Sequence, residues 1–79
     1  MPDFRIHMIN SDFESSAENN YPSLDAARKS ATGSAIKVAA ENVVAGEETS
    51  AVHVRIEEGD QTVAHYVVNL SVSPLLPDA

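Results

Sequence analysis

Ala51-Val52-His53-Val54-Arg55-Ile56-Glu57, then Thr62-Val63-Ala64-His65-Tyr66-Val67-Val68-Asn69-Leu70-Ser71-Val72, flank the turn Glu58-Gly59-Asp60. This stretch decides the fold. Both arms are rich in valine and alternate with a period of two, and glycine in the turn supplies a position where φ is positive. Together they predict an antiparallel hairpin. Placing Ile56 opposite Asp60 pairs Val54 with Thr62 and Val52 with Ala64, and carries Tyr66, Val68, Leu70 and Val72 onto the same, core-facing side. A slip of one residue would bury His65 and Asn69 instead, at the cost of unpaired polar groups.

Upstream, Phe4, Ile6 and Met8 alternate with Arg5, His7 and Ile9, which predicts a strand over residues 3–9 with one buried face. Asn10-Ser11-Asp12 can bond their own backbone and favour a turn. Phe13 to Glu18 is the place for a short returning edge strand, although Ser15, Ser16, Asn19 and Asn20 make the segment polar. Pro22 disfavours helical geometry at Tyr21, and Ser23 is an N-cap residue, so a helix is expected from Leu24. Wound at 100° per residue, it places Leu24, Ala27, Ala31, Ala35, Val38 and Ala39 on one stripe, with Lys29, Ser30, Gly33 and Lys37 on the other side. Gly46 is its natural stop, giving about 22 residues and roughly 33 Å. Because the stripe is mostly alanine, the helix can approach closely and the bulky half of the core must come from the strands. Asn42 falls on that stripe, so either it bonds the helix end or the helix stops sooner. The predicted fold is α+β, a three- to four-stranded antiparallel sheet, β-(β)-α-β-β, with one long helix on one face. Residues 1–73 form the single domain, and Pro74 and Pro77 end the sheet ahead of a loose tail over 74–79.

The chain has 79 residues and no cysteine, and twelve acidic against five basic residues give a net charge of -7. A chain this short buries only about 60% of the surface its unfolded form exposes, so one modest core is expected, and self-association is a common route to further stability. Its averaged field repels phosphate backbones and anionic headgroups, which argues against nucleic-acid and membrane partners. No segment approaches the about 18 apolar residues that span a bilayer, and residues 1–10 hold no apolar run of signal-peptide length. A cytoplasmic location is expected. Asn69-Leu70-Ser71 matches a glycosylation acceptor, but it lies inside a predicted strand and reads as chance.

The Met1-Pro2 start, the alternating strand and Tyr21-Pro22-Ser23-Leu24-Asp25-Ala26-Ala27-Arg28 resemble a family of short bacterial proteins, common in rhizobia and related soil bacteria, known as a domain of unknown function. The resemblance continues through Ala45-Gly46 and the hairpin at Glu58-Gly59-Asp60, covering nearly the whole chain. Between Asn10 and Asn20 the sequence departs from it, lacking the Asp-Gly and Glu-Gly turns usual there. The resemblance implies a fold and a bacterial source, and no activity. Two partial resemblances carry functions. Val63-Ala64-His65-Tyr66 looks like the last strand of the dodecins, which store flavin between tryptophans, and this chain has no tryptophan. Pro2 with Phe4-Arg5-Ile6, and a strand in the style of 51–58, resembles tautomerases that use an amino-terminal proline as acid and base. That resemblance implies Pro2 as proton carrier after loss of Met1, with Arg5 holding an anionic substrate. The polar insertion before the helix and the closing hairpin depart from it.

The outer face of the predicted sheet is the most informative surface, since Arg5, His7, His53, Arg55 and His65 all project there, collecting every histidine of an acidic chain. It reads as a solvated face, or, with Ile9, Val63 and Val67 interspersed, as a half-apolar face through which copies of the chain associate. The interface candidates are Ile9, His53, Arg55, Val63, His65 and Val67. A metal held by His7, His53 and His65 is a third reading, without a local ligand motif behind it. No cofactor is expected. No Gly-x-Ser-x-Gly turn or phosphate-cradling glycine loop is present, and Glu47-Glu48 and Glu57-Glu58 read as solvated charges at a helix end and a hairpin tip. The chain therefore reads as a non-enzymatic binding or self-associating module, with proline-based tautomerisation and a dodecin-like flavin store as alternatives.

Overall fold

The computed structural model describes residues 2–73 and 75. Its elements follow in the order β1 (Asp3–Ile9), β2 (Glu14–Asn20), α1 (Leu24–Val44), β3 (Thr49–Glu58) and β4 (Gln61–Ser71). The strands make one antiparallel sheet in the order β2-β1-β3-β4. Two hairpins thus lie side by side, joined where β1 pairs with β3, and α1 carries the chain from one to the other across a single face. The α+β fold with one helix on the sheet is as the alternation and the alanine stripe require. Among the described residues no helix is long and apolar enough to cross a membrane. Of the expected tail over 74–79, everything but Leu75 lies outside the described residues, including Pro74 and Pro77.

The first hairpin closes through Asn10, whose Oδ1 accepts from the backbone N–H groups of Asp12 (2.8 Å) and Phe13 (2.9 Å), while its own N–H donates to the Phe13 carbonyl. Those bonds hold Phe13 in the loop. The second strand therefore runs from Glu14 rather than Phe13, and pairing persists to Asn20 opposite Asp3. Every residue of β2 is exposed, because it gains its place from ladder bonds to β1 and not from burial.

Ser23 caps α1, its Oγ accepting from the Ala26 N–H at 3.1 Å. The buried stripe is Ala27, Ala31, Ala35 and Ala39, with Leu24 and Val38 partly buried beside it. Opposite lie Phe4, Val52, Val54 and Ile56, the bulkiest fully buried side chains, so small helix residues meet large strand residues. Gly46, at φ 120, turns the chain out of the helix. Asn42 bonds across to β3, its Nδ2 donating to the Oγ of buried Ser50 at 2.9 Å. Tyr66 Oη and Thr32 Oγ1 lie 2.8 Å apart on the β4 side, and the Arg28 guanidinium sits 5.8 Å from the Tyr66 ring centre. Phe4 and Tyr21 pack with ring centres 6.3 Å apart at the β1 side.

The register of β3 with β4 differs from the expected one. Val54 faces Tyr66 and Val52 faces Val68, where Thr62 and Ala64 were expected. A two-residue turn, Gly59 and Asp60, brings Gln61 opposite Glu58, closer to the tip than the expected pairing allowed. Continued without interruption, that register would set Val63 opposite Ile56 and bury His65, Val67 and Asn69. An irregularity between Ile56 and Glu57 prevents this by leaving Val63 as an extra residue, so that Ile56 faces Ala64. The core side of β4 is then Ala64, Tyr66, Val68 and Leu70, reached by a different route, whereas Thr62 faces Glu57 on the outer side and Val72, also expected on the core side, lies past the end of the strand and is 56% exposed. Val63 itself packs against the core and is not on the outer face, which corrects its place among the interface candidates.

Candidate functional site

Helix α1 covers one face of the sheet and leaves the other bare. Three rows of facing residues cross the bare face from β2 to β4. The first is Glu18, Arg5, Glu57 and Thr62; the second Ser16, His7, Arg55 and His65; the third Glu14, Ile9, His53 and Val67. The structure thus gathers Arg5, His7, His53, Arg55 and His65 on one surface, together with Ile9 and Val67, which are 36% and 43% exposed.

Charges in the first row alternate. Arg5 Nη2 lies 3.9 Å from Glu18 Oε2, an exposed pair of small energetic weight. His7 Nε2 meets Glu57 Oε1 at 2.5 Å, with both side chains largely covered. That hydrogen bond holds the Glu57 carboxyl below the usual carboxylate range, helped by the charges of Arg55 and Arg5 and opposed by partial burial. Arg55 is half-buried by its neighbours, and its Nε has no hydrogen-bond partner. A cleft of about 310 Å³ opens at the hairpin-tip end between Arg5, Glu18, Glu57 and Asp60. At the other end, an open cleft of about 420 Å³ is lined by Ile9, Asn10, Glu47, Ser50, His53 and Asn69 among others.

The remaining sequence candidates are dispersed. Pro2 stands just before β1, exposed, its carbonyl accepting from the Tyr21 N–H at 3.2 Å, and it lines neither cleft. Arg5 points into the tip cleft between two carboxylates, an unfavourable place to hold an anionic substrate. His7 and His65 are separated by Arg55 in their row and His53 lies in the next. Among the described residues no group of three or more His, Cys, Asp or Glu side chains is placed to hold a metal ion.

Glu57 is the site residue that sequence reasoning missed. As a neighbour of Glu58 it reads as part of a solvated tip, whereas β1 brings His7 and Arg5 to it. The signal that finds it is parity, since Glu57 shares the outer face with Arg55, but its partners appear only once β1 is known to pair with β3. Glu14 and Glu18 likewise join the face only through β2. Compared with protein-family models, curated proteins and solved structures, the chain matches none.

Proposed function

We propose that the chain is a small, non-enzymatic self-associating module, in which the bare sheet face packs on that of a second copy. The observation that supports it most is the self-complementary order of charge in the first row, Glu18, Arg5, Glu57 and Thr62. A two-fold axis parallel to the strands, between β1 and β3, lays β2 and β1 of one copy over β4 and β3 of the other. Each row then meets itself reversed. Arg5 comes to Glu57 of the second copy, Glu18 to Thr62, Ser16 to His65, His7 to Arg55, Ile9 to His53 and Glu14 to Val67, so the first row carries the charge match. No two carboxylates oppose each other, and Ile9 and Val67 leave water.

A flavin store of the dodecin type draws no support from the side chains, since Phe4, Tyr21 and Tyr66 all pack on the helix side. The test is light scattering after size exclusion on the wild-type chain, on Arg5→Glu, and on the charge-swapped Arg5→Glu/Glu57→Arg. The expected result is a dimer or a multiple of it for the wild type, a lower mass for the single variant, and recovery in the double. A wild-type monomer, or a mass indifferent to Arg5→Glu, overturns the reading.

A further inference from the structure

Strand β4 is the longest in the sheet, 11 residues, and it is an edge. Edge strands in natural proteins are blunted by lysine, proline or acidic residues, because a row of unpaired N–H and C=O groups invites another strand. The opposite edge, β2, follows that rule with Glu14 and Glu18. In Gln61–Ser71 there is no proline, lysine, arginine or carboxylate, and the residues are mainly β-branched or apolar. The one protective device is the irregularity that leaves Val63 as an extra residue, and it disturbs only the end near the turn.

Which groups lie open follows from one bond. The Val72 N–H donates to the Glu48 carbonyl at 2.8 Å, one step beyond the facing pair Ser71 and Thr49. Bonded and non-bonded pairs alternate along an antiparallel ladder. Leu70, Val68 and Tyr66 therefore bond to β3, while His65, Val67, Asn69 and Ser71 turn both backbone groups to the open edge. We infer that β4 pairs antiparallel with β4 of a second copy about a two-fold axis at Val67, making one continuous sheet across two chains. In that register His65 faces Asn69 of the second copy, Tyr66 faces Val68 and Ala64 faces Leu70. Polar side chains meet polar and apolar meet apolar, and each outward-facing pair exchanges both its hydrogen bonds. Shifted by two residues towards the tail, Val67 would instead face Asn69, setting an apolar side chain against a polar one on both sides of the axis.

Area favours the same arrangement. Strands of this length, about 3.3 Å per residue and about 4.8 Å apart, give one copy's bare face on the order of 500 Å². Face packing alone then buries about 1,000 Å² in total, the lower limit for a specific interface. Joining two sheets at β4 doubles the face presented. The area argument rests on face packing, whereas the open backbone groups and the register of β4 do not, and the two contacts differ in what they protect.

The test is amide exchange followed by NMR on the full chain at micromolar and millimolar concentration, with the Val67→Pro and Arg5→Glu variants beside it. Edge pairing predicts that His65, Val67 and Asn69 amides gain at least about tenfold protection with concentration, because only pairing bonds them. Proline at position 67 removes an outward donor and leaves the β3 ladder intact, so that protection disappears and the mass roughly halves. Arg5→Glu leaves edge protection in place even where it breaks face packing. Should the variant with proline fail to fold, the wild-type exchange data decide alone. Free exchange of those three amides in a sample heavier than a monomer overturns edge pairing and leaves face packing standing. A monomer at millimolar concentration overturns both.

Discussion

Asn42 and Ser50 are tied side chain to side chain at 2.9 Å, joining the last turn of α1 to the second residue of β3. Ser50 is the one buried polar residue of the described chain, and this bond is what satisfies its hydroxyl. Asn42→Ala is expected to cost about 1–2 kcal/mol in urea denaturation, since a buried hydroxyl left without its partner bears its desolvation penalty. Adding Ser50→Ala should recover part of the loss. Equal, additive losses from the two single substitutions would show that the bond does not couple the helix end to the sheet.

Glu57 makes stability depend on pH. Its folded-state carboxyl is held low, first by the hydrogen bond from His7, so the charged form is favoured in the native state. A depressed acid stabilises the fold above the ordinary carboxylate range, about 4.3, and the contribution is lost as pH falls through the lowered native value. Denaturation midpoints measured between about pH 5 and pH 3 should therefore fall less steeply for Glu57→Gln than for the wild type. Parallel slopes would mean that other carboxylates dominate the acid limb.

The contact between α1 and β3 depends on small residues. Ala35 is 0% exposed and faces the side where Val52, Val54 and Ile56 are equally buried. Ala35→Leu adds volume where nothing can yield without moving the helix, and should cost about 1–3 kcal/mol despite leucine's good helix propensity. Ser34→Ala, on the exposed side, should change stability by under about 0.5 kcal/mol. If the leucine variant is as stable as the wild type, the helix does not sit as close to the sheet as its alanine stripe implies.

Much of this was legible in the sequence. Periods of two in β1, β3 and β4, the Ser23 cap and the i, i+4 alanines are local patterns, and they locate β1, α1, β3 and β4 to within two residues. They also divide core from outer face. What they leave open is long-range. Strand order depends on β1 pairing with β3, and nothing in Arg5 or His7 announces Glu57 as a neighbour until that is known. The tip register failed for a related reason. Several registers share one parity, so hydrophobic alternation chooses the face and not the partner, and the turn length chooses the partner. β2 shows the limit of pattern reading, because a wholly exposed strand has no burial period to read.

Val63 supplies the sharpest check on the hairpin. As the extra residue between Thr62, which belongs with Glu57, and Ala64, which belongs with Ile56, it corrects the parity set by the two-residue turn. Deleting Val63 should leave every other β3 and β4 pair in place, turning an interrupted ladder into a regular one. The cost is then limited to its partly buried side chain, on the order of 1–3 kcal/mol. Deleting Val67 removes the same number of atoms but reverses the parity of all that follows. Val68 would swing to the outer face opposite His53, and Asn69 would be driven against buried Val52 with its amide unpaired. Circular dichroism and urea melts of the two deletions should therefore part company, with a folded chain lacking Val63 and a largely unfolded one lacking Val67. Equal damage from both would place the irregularity elsewhere in the hairpin and remove the reason given for Val63 facing the core.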